Sequence, residues 1–140
     1  MKPDPAVRVL IVEDSQIVQA VLARNLATIP NVAVAGVSFT GRSGIAAIHK
    51  LRPDVVLLDL TMPDGNGFDV LTAIRGDDHQ PLVIVLTFHS ENPIRARCME
   101  LGAHVFIDKG GNAQALFDIL TQLGVGELSL DHLKTNPRRE

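Results

Sequence analysis

Short apolar runs alternate along this chain with longer stretches whose apolar positions recur at helical spacing. Val7-Arg8-Val9-Leu10-Ile11-Val12 reads as a strand, followed by a helix from about Ser15 to Ile29 that Asp14 or Ser15 can cap. Val32 to Val37 is a second strand, and a helix from near Thr40 ends before Pro53, which cannot continue it comfortably. Asp54-Val55-Val56-Leu57-Leu58-Asp59 is almost unbroken apolar sequence ending in a charge, the pattern of a central parallel strand covered on both faces. The Pro63-Asp64-Gly65-Asn66-Gly67 loop leads to a helix running to about Arg75. Leu82 to Leu86 forms a fourth strand that Thr87 closes, and Ser90 or Asn92 with Pro93 opens the next helix. Val105 to Ile107 is a short fifth strand, and Ala113 to Leu123 a last helix with Leu116, Leu120 and Leu123 on one face.

Five such strand-helix units with right-handed crossovers make an α/β domain, a doubly wound five-stranded parallel sheet, here over residues 7–123. Residues 1–6 read as an N-terminal extension and 124–140 as a C-terminal tail too short for an output domain, in which Leu128, Leu130 and Leu133 suggest a docking segment. Sheets of this kind place their sites beyond the carboxyl ends of the strands. Glu13, Asp14, Asp59, Thr87 and Lys109 all fall there. Three carboxylates brought together repel one another, so the arrangement calls for a divalent cation, with Lys109 as a further positive group. The constellation reads as a phosphoryl-accepting switch.

Composition narrows the field. With 140 residues, 46% hydrophobic and 21% charged, the chain fits one domain with a sizeable core. A formal net charge of -3 argues against direct binding to nucleic acid or an anionic membrane. The polar start and the lack of a spanning apolar stretch make a cytoplasmic location the simplest expectation. The lone Cys98, in helical register with Ile94 and Leu101, suits a buried thiol rather than a reactive one. The five histidines show no paired metal-ligand spacing.

Val-Glu-Asp after the first strand, Leu-Leu-Asp-Leu-Thr-Met-Pro-Asp-Gly-Asn-Gly around Asp59, Leu-Thr ending the fourth strand and Gly102-Ala103-His104-Val105-Phe106-Ile107-Asp108-Lys109 together resemble the receiver domains of two-component response regulators, of the single-domain chemotaxis type. The resemblance implies a flavodoxin-like strand order, 2-1-3-4-5. It makes Asp59 the phosphoacceptor, attacking a phosphohistidine on a histidine kinase or phosphotransfer protein. Mg²⁺, with Mn²⁺ as an alternative, would be held by Asp14 and Asp59, by Glu13 directly or through water, and by the Thr61 carbonyl. Thr87 and Lys109 would offset charge on the phosphoryl oxygens, without acid-base chemistry. The protein would then be no enzyme beyond its own phosphorylation and dephosphorylation. Attraction of Thr87 to the phosphoryl group would vacate space for Phe106, altering the face of the last two helices and fifth strand, where a downstream protein or a second copy would bind. Phe117 is expected off the core face of the last helix.

Some positions depart from the family pattern. Phe88, where a small residue is usual, would cover the pocket and slow small donors and hydrolytic water. His89 either orients water or sits solvated. Phe106 keeps aromatic volume but lacks the hydroxyl of the more frequent Tyr. Lys109 is followed by Gly110 and not Pro, so a cis peptide is not expected and the Gly110-Gly111 loop should be more mobile. By analogy a phosphotransfer partner docks beside the first helix, near Gln16 and Gln19.

Taken singly, Asp14 could be a helix cap, Lys109 a solvated lysine and Thr87 a strand end. Gly65-Asn66-Gly67 is a turn rather than a phosphate loop, lacking the third glycine. Three classes remain: a phosphorylated receiver, a constitutive receiver-fold binding module, and a phosphotransfer enzyme of the haloacid-dehalogenase type. The last carries a second Asp two residues after the nucleophile, where this chain has Thr61. Glu13 and Asp14 would repel a flavin phosphate, which disfavours a flavodoxin.

Overall fold

The computed structural model describes residues 7–62, 65–88 and 91–139. The expected extension at 1–6 therefore lies outside the described residues, as do Pro63, Asp64, His89, Ser90 and Glu140. The elements in chain order are β1 (Val7–Val12), α1 (Gln16–Leu26), β2 (Val32–Ser38), α2 (Gly41–Leu51), β3 (Val55–Leu58), β4 (Thr61–Met62), β5 (Gly65–Asn66), α3 (Gly67–Ile74), β6 (Leu82–Thr87), α4 (Asn92–Glu100), β7 (Val105–Asp108), α5 (Gln114–Gly124), α6 (Leu130–Thr135) and β8 (Arg138–Arg139). The main sheet runs β2-β1-β3-β6-β7-β8 and is parallel throughout. Its first five members are the expected strands in the expected order, and β8 adds an outer edge. β4 and β5 pair as a separate antiparallel ladder.

Alternation along each strand builds two cores. Val9, Ile11, Val55, Leu57, Leu82, Ile84, Val105 and Ile107 face one side with Leu22 and Leu26 of α1 and Leu116 and Leu120 of α5. Leu10, Val12, Val56, Leu58, Val83, Val85 and Phe106 face the other with Ile48 of α2, Val70 and Leu71 of α3 and Cys98 of α4. A strand covered on both faces must be apolar at nearly every position, which is why β3 and β6 are so plain in the sequence.

Caps set where the helices begin. The Ser15 hydroxyl accepts from the Val18 N–H at 3.3 Å and starts α1. Thr40 and Ser43 form a reciprocal capping box at α2. Glu91 occupies the cap position of α4, with Pro93 in its first turn. No described helix is long and apolar enough to cross a membrane.

The segment after α5 departs from the expected tail. Leu133 of α6 is fully buried in the core beside α1 and α5, and Leu128 and Leu130 pack against that core. These leucines are thus satisfied within the chain and do not form a free docking segment. Phe117 likewise packs, partly buried, against the same core and is not off its face. Gly124, at the end of α5, is required by close approach, because a Cβ there would collide with the Pro30 carbonyl oxygen. The Asn31 side-chain amide donates to the Gly124 carbonyl at 3.0 Å, tying α5 to the turn before β2. Removing the Leu133 side chain by Leu133→Ala should cost about 2–5 kcal/mol through lost burial and cavity formation, read from urea unfolding; an unchanged midpoint would place α6 outside the folding unit.

His104 stitches β7 to β6 at the end of the sheet opposite the acidic cluster. Its ring Nδ1 accepts from the Val83 N–H at 3.0 Å while its own backbone N–H donates to the Val83 carbonyl at 3.0 Å. Burial, with a smaller contribution from Lys134, holds the imidazole below its ordinary pKa of 6.5. The unfolded chain therefore takes up a proton near pH 6.5 that the folded protein still excludes. The stability due to neutral His104 is full above that pH and is lost as pH falls toward the folded pKa. His104→Asn should flatten the acid side of the stability profile below pH 6.5, measured by urea unfolding across pH.

Candidate functional site

Backbone pairing carries past the strand ends and fixes the site residues there. The Glu13 N–H donates to the Ser38 carbonyl at 2.9 Å, the Asp59 N–H to the Val12 carbonyl at 3.1 Å and the Lys109 N–H to the Thr87 carbonyl at 2.9 Å. Glu13, Asp59 and Lys109 thus extend their strands by one residue each, at one edge of the sheet. Among the described residues, Glu13, Asp14 and Asp59 form a group whose carboxylate oxygens lie within 4.8 Å of one another.

Lys109 crosses to this group from β7. Its Nζ donates to Glu13 Oε1 at 2.6 Å and lies 3.8 Å from Asp59 Oδ2. Glu13 is only 2% exposed, and its second oxygen, Oε2, accepts from the Ser15 N–H at 3.2 Å. A buried carboxylate so paired is well supported; Asp14, by contrast, is exposed. Partial desolvation, a side-chain hydrogen bond with Glu13 and that residue's charge raise the Asp14 pKa, while its own backbone N–H and Lys109 act in the opposite sense. With three acids against one lysine, the cluster has the donor chemistry of a hard divalent cation: carboxylate oxygens, close together and under-neutralised.

Around Asp59 the chain is tightly folded. The Thr61 N–H points to Asp59 Oδ1 at 3.5 Å, and the Gly67 N–H donates to the Leu60 carbonyl at 2.8 Å. A Cβ on Gly67 would lie 2.8 Å from the Asp59 carbonyl oxygen, so glycine is needed for this approach. Thr87 is fully buried at the end of β6, opposite Asp108 of β7. Phe106, two residues earlier on β7, is also fully buried. Phe88 is 68% exposed and stands beside the site, its ring centroid 5.5 Å from Lys109 Nζ. His89 lies outside the described residues.

The loop after Lys109 is more constrained than its two glycines suggest. Asp108 Oδ1 accepts from the Gly110 N–H at 2.8 Å, and the Asp108 carbonyl accepts from the N–H groups of Gly111 and Asn112. An Asp so placed commonly forms such a turn, and here it gives Gly110-Gly111 defined hydrogen bonds.

Two features were missed in the sequence. The Arg95 guanidinium of α4 lies 5.1 Å from the centroid of the Phe106 ring, and its buried Nε has no hydrogen-bond partner among the described residues. No local pattern joins two residues on different elements. On α1, Ile17 is 79% and Val21 52% exposed. Their signal was present: Ile17 and Val21 form a helical i, i+4 pair alongside Val18 and Leu22, giving α1 a wider apolar stripe than one core face requires. Cys98 is buried, and its thiol, pushed up to about 11 by that burial, stays protonated and inert.

The fold and the site define a parallel α/β domain with an acidic, lysine-braced pocket at the carboxyl ends of its strands. The model of the response regulator receiver domain matches residues 9–121, and the chain belongs to that family. It is 36% identical over 104 residues to a protein-glutamate methylesterase/protein-glutamine glutaminase of Bacillus licheniformis, covering 74% of this chain and 29% of that protein. It is 31% identical over 121 residues to the response regulator protein VraR of Staphylococcus aureus, covering 86% of this chain and 58% of that protein. The chain thus spans less than two thirds of either relative. The response regulator domain of Thermotoga maritima CheB superposes with a TM-score of 0.73 at 25% identity, over 92% of this chain and 96% of that one.

The ion pair sets opposite expectations for its two ends. Lys109→Met leaves Glu13 buried without its cation and should cost about 3–5 kcal/mol. Asp59→Asn removes one of three mutually repelling charges while Lys109 keeps Glu13, so it should raise the urea midpoint in EDTA. Both are read by chemical unfolding in metal-free buffer, and a shared direction of change would contradict the charge balance described.

Proposed function

We propose that this receiver accepts a phosphoryl group on Asp59 from a histidine kinase or histidine phosphotransfer protein, in a Mg²⁺-dependent reaction, and signals by altering a protein-binding face. The observation that carries this reading is the meeting of Asp59 with Glu13, Asp14 and Lys109 at one sheet edge. An Asp59 carboxylate oxygen forms a bond to phosphorus as the P–N bond to the donor imidazole breaks, and the histidine leaves with the bonding pair. Glu13, Asp14 and Asp59 would hold the cation, with the Thr61 carbonyl as a further oxygen donor; Mn²⁺ has the same preference for oxygen. When bound, the ion neutralises charge on the phosphoryl oxygens and on the carboxylates around it.

The chain's own groups do the rest. Lys109 lies within reach of Asp59 and, once a phosphoryl group is present, offers its ammonium to those oxygens. The Thr87 hydroxyl turns toward the new acceptors, and Phe106 moves behind it. No proton need leave Asp59, so the protein catalyses only its own phosphorylation and dephosphorylation. Phe88, standing over the Lys109 side of the pocket, slows small donors and water. The kinase docks on α1, where Ile17 and Val21 offer apolar surface beside Gln16 and Gln19. The output goes to a downstream protein in the cytoplasm, without direct binding to nucleic acid.

Incubation with Mg²⁺ and either acetyl phosphate or a histidine kinase should add one phosphoryl mass to the intact protein, with no adduct formed when EDTA is present from the start or in Asp59→Asn. No adduct from either donor would instead support a constitutive binding module. Ile17→Asp should lower transfer from a kinase about tenfold, as expected for a lost apolar anchor, while leaving acetyl phosphate labelling unchanged. Equal loss with both donors would move the effect from docking to the pocket.

A further inference from the structure

The outer edge of β7 is filled by the chain itself. β8 lies along it in parallel, Val105 opposite Arg138 and Phe106 opposite Arg139. The two ends of this segment are held very differently. α6 is anchored by Leu133, fully buried in the core, whereas β8 is paired at two positions only, on the rim of the sheet. A strand that short has little stability of its own and opens at low free energy.

Phe106 stands where this weak strand meets the switch. Its backbone is paired with Val85 of β6 on one side and Arg139 of β8 on the other. Its ring is fully buried beneath Arg95. Thr87 ends the adjoining strand, so a rearrangement that carries the Phe106 ring toward Thr87 acts on one of the two positions that hold β8.

We propose that β8 is a self-inhibitory strand, occupying the edge of β7 in the unphosphorylated protein and leaving it when Asp59 is phosphorylated. The inference rests on the phosphoryl-accepting reading above. While seated, β8 withholds the N–H and C=O groups of β7 from any other chain, including a second copy. Linkage makes the coupling reciprocal: what weakens β8 favours the phosphorylated arrangement to the same degree.

The test adds beryllofluoride and Mg²⁺ to the 140-residue chain. The ¹⁹F spectrum reports whether the pocket is filled, and amide exchange follows residues 105–106 and 138–139. A bound fluorine signal should accompany exchange about tenfold faster at 138–139. In the double variant Arg138→Pro with Arg139→Pro, which removes both backbone donors of β8 and leaves Leu133 seated, beryllofluoride should bind about tenfold more tightly. A bound signal with either readout unchanged overturns the inference. No bound signal in any protein overturns instead the phosphoryl-accepting reading, and the coupling with it.

Discussion

Lys109 meets Glu13 across two intervening strands, and the arrangement of the sheet answers to that contact. The acids come from the ends of β1 and β3, the cation from the end of β7, and β6 lies between. A buried carboxylate without its cation costs several kcal/mol, so the strands must end where Lys109 can reach Glu13. The register does this: Val12 lies opposite Leu58 and Leu58 opposite Val85, β6 and β7 run two residues further to Thr87 opposite Asp108, and hydrogen bonds past the strand ends join Asp59 to Val12 and Lys109 to Thr87. One lysine still leaves the acids in excess. The cluster is consequently a place where charge repulsion opposes folding and favours whatever cation can relieve it, so stability and ligand binding are two readings of one electrostatic imbalance.

How much of this was legible in the sequence follows from which forces are local. β1, β3 and β6 were plain because a strand buried on both faces has almost no freedom in composition, and Glu13, Asp59 and Thr87 were plain because a polar residue ending such a run has only the sheet edge to occupy. Helix ends were less so. α1 stops at Leu26 rather than Ile29 because Thr28 and Ile29 donate to the carbonyls of Asn25 and Leu26, a tighter closing turn that apolar spacing does not reveal. Leu128, Leu130 and Leu133 were visible as apolar positions, but whether such a segment covers its own core or another protein depends on a gap in that core, which only the packed structure displays. Asp108 shows the same limit on a smaller scale, since its side chain turns a loop of two glycines into a braced turn.

Phe106 fills its place on β7 without a hydroxyl. A Tyr at this place reports its position by hydrogen bonding, whereas Phe106 has only volume and the face of its ring. That face is in contact with Arg95. A desolvated cation over an aromatic ring contributes about 2 kcal/mol. Against this, the buried Arg95 Nε has no described hydrogen-bond partner, and an unsatisfied buried donor costs about 1–3 kcal/mol. The two effects are of the same size and opposite sign. The contact with the ring therefore offsets the cost of burying the unpaired Nε, and the place of Arg95 depends on where Phe106 stands. Under the proposed switch, a displacement of Phe106 would remove the ring contact and leave the cost of the unpaired Nε, so the charge on α4 is the group whose exposure would change.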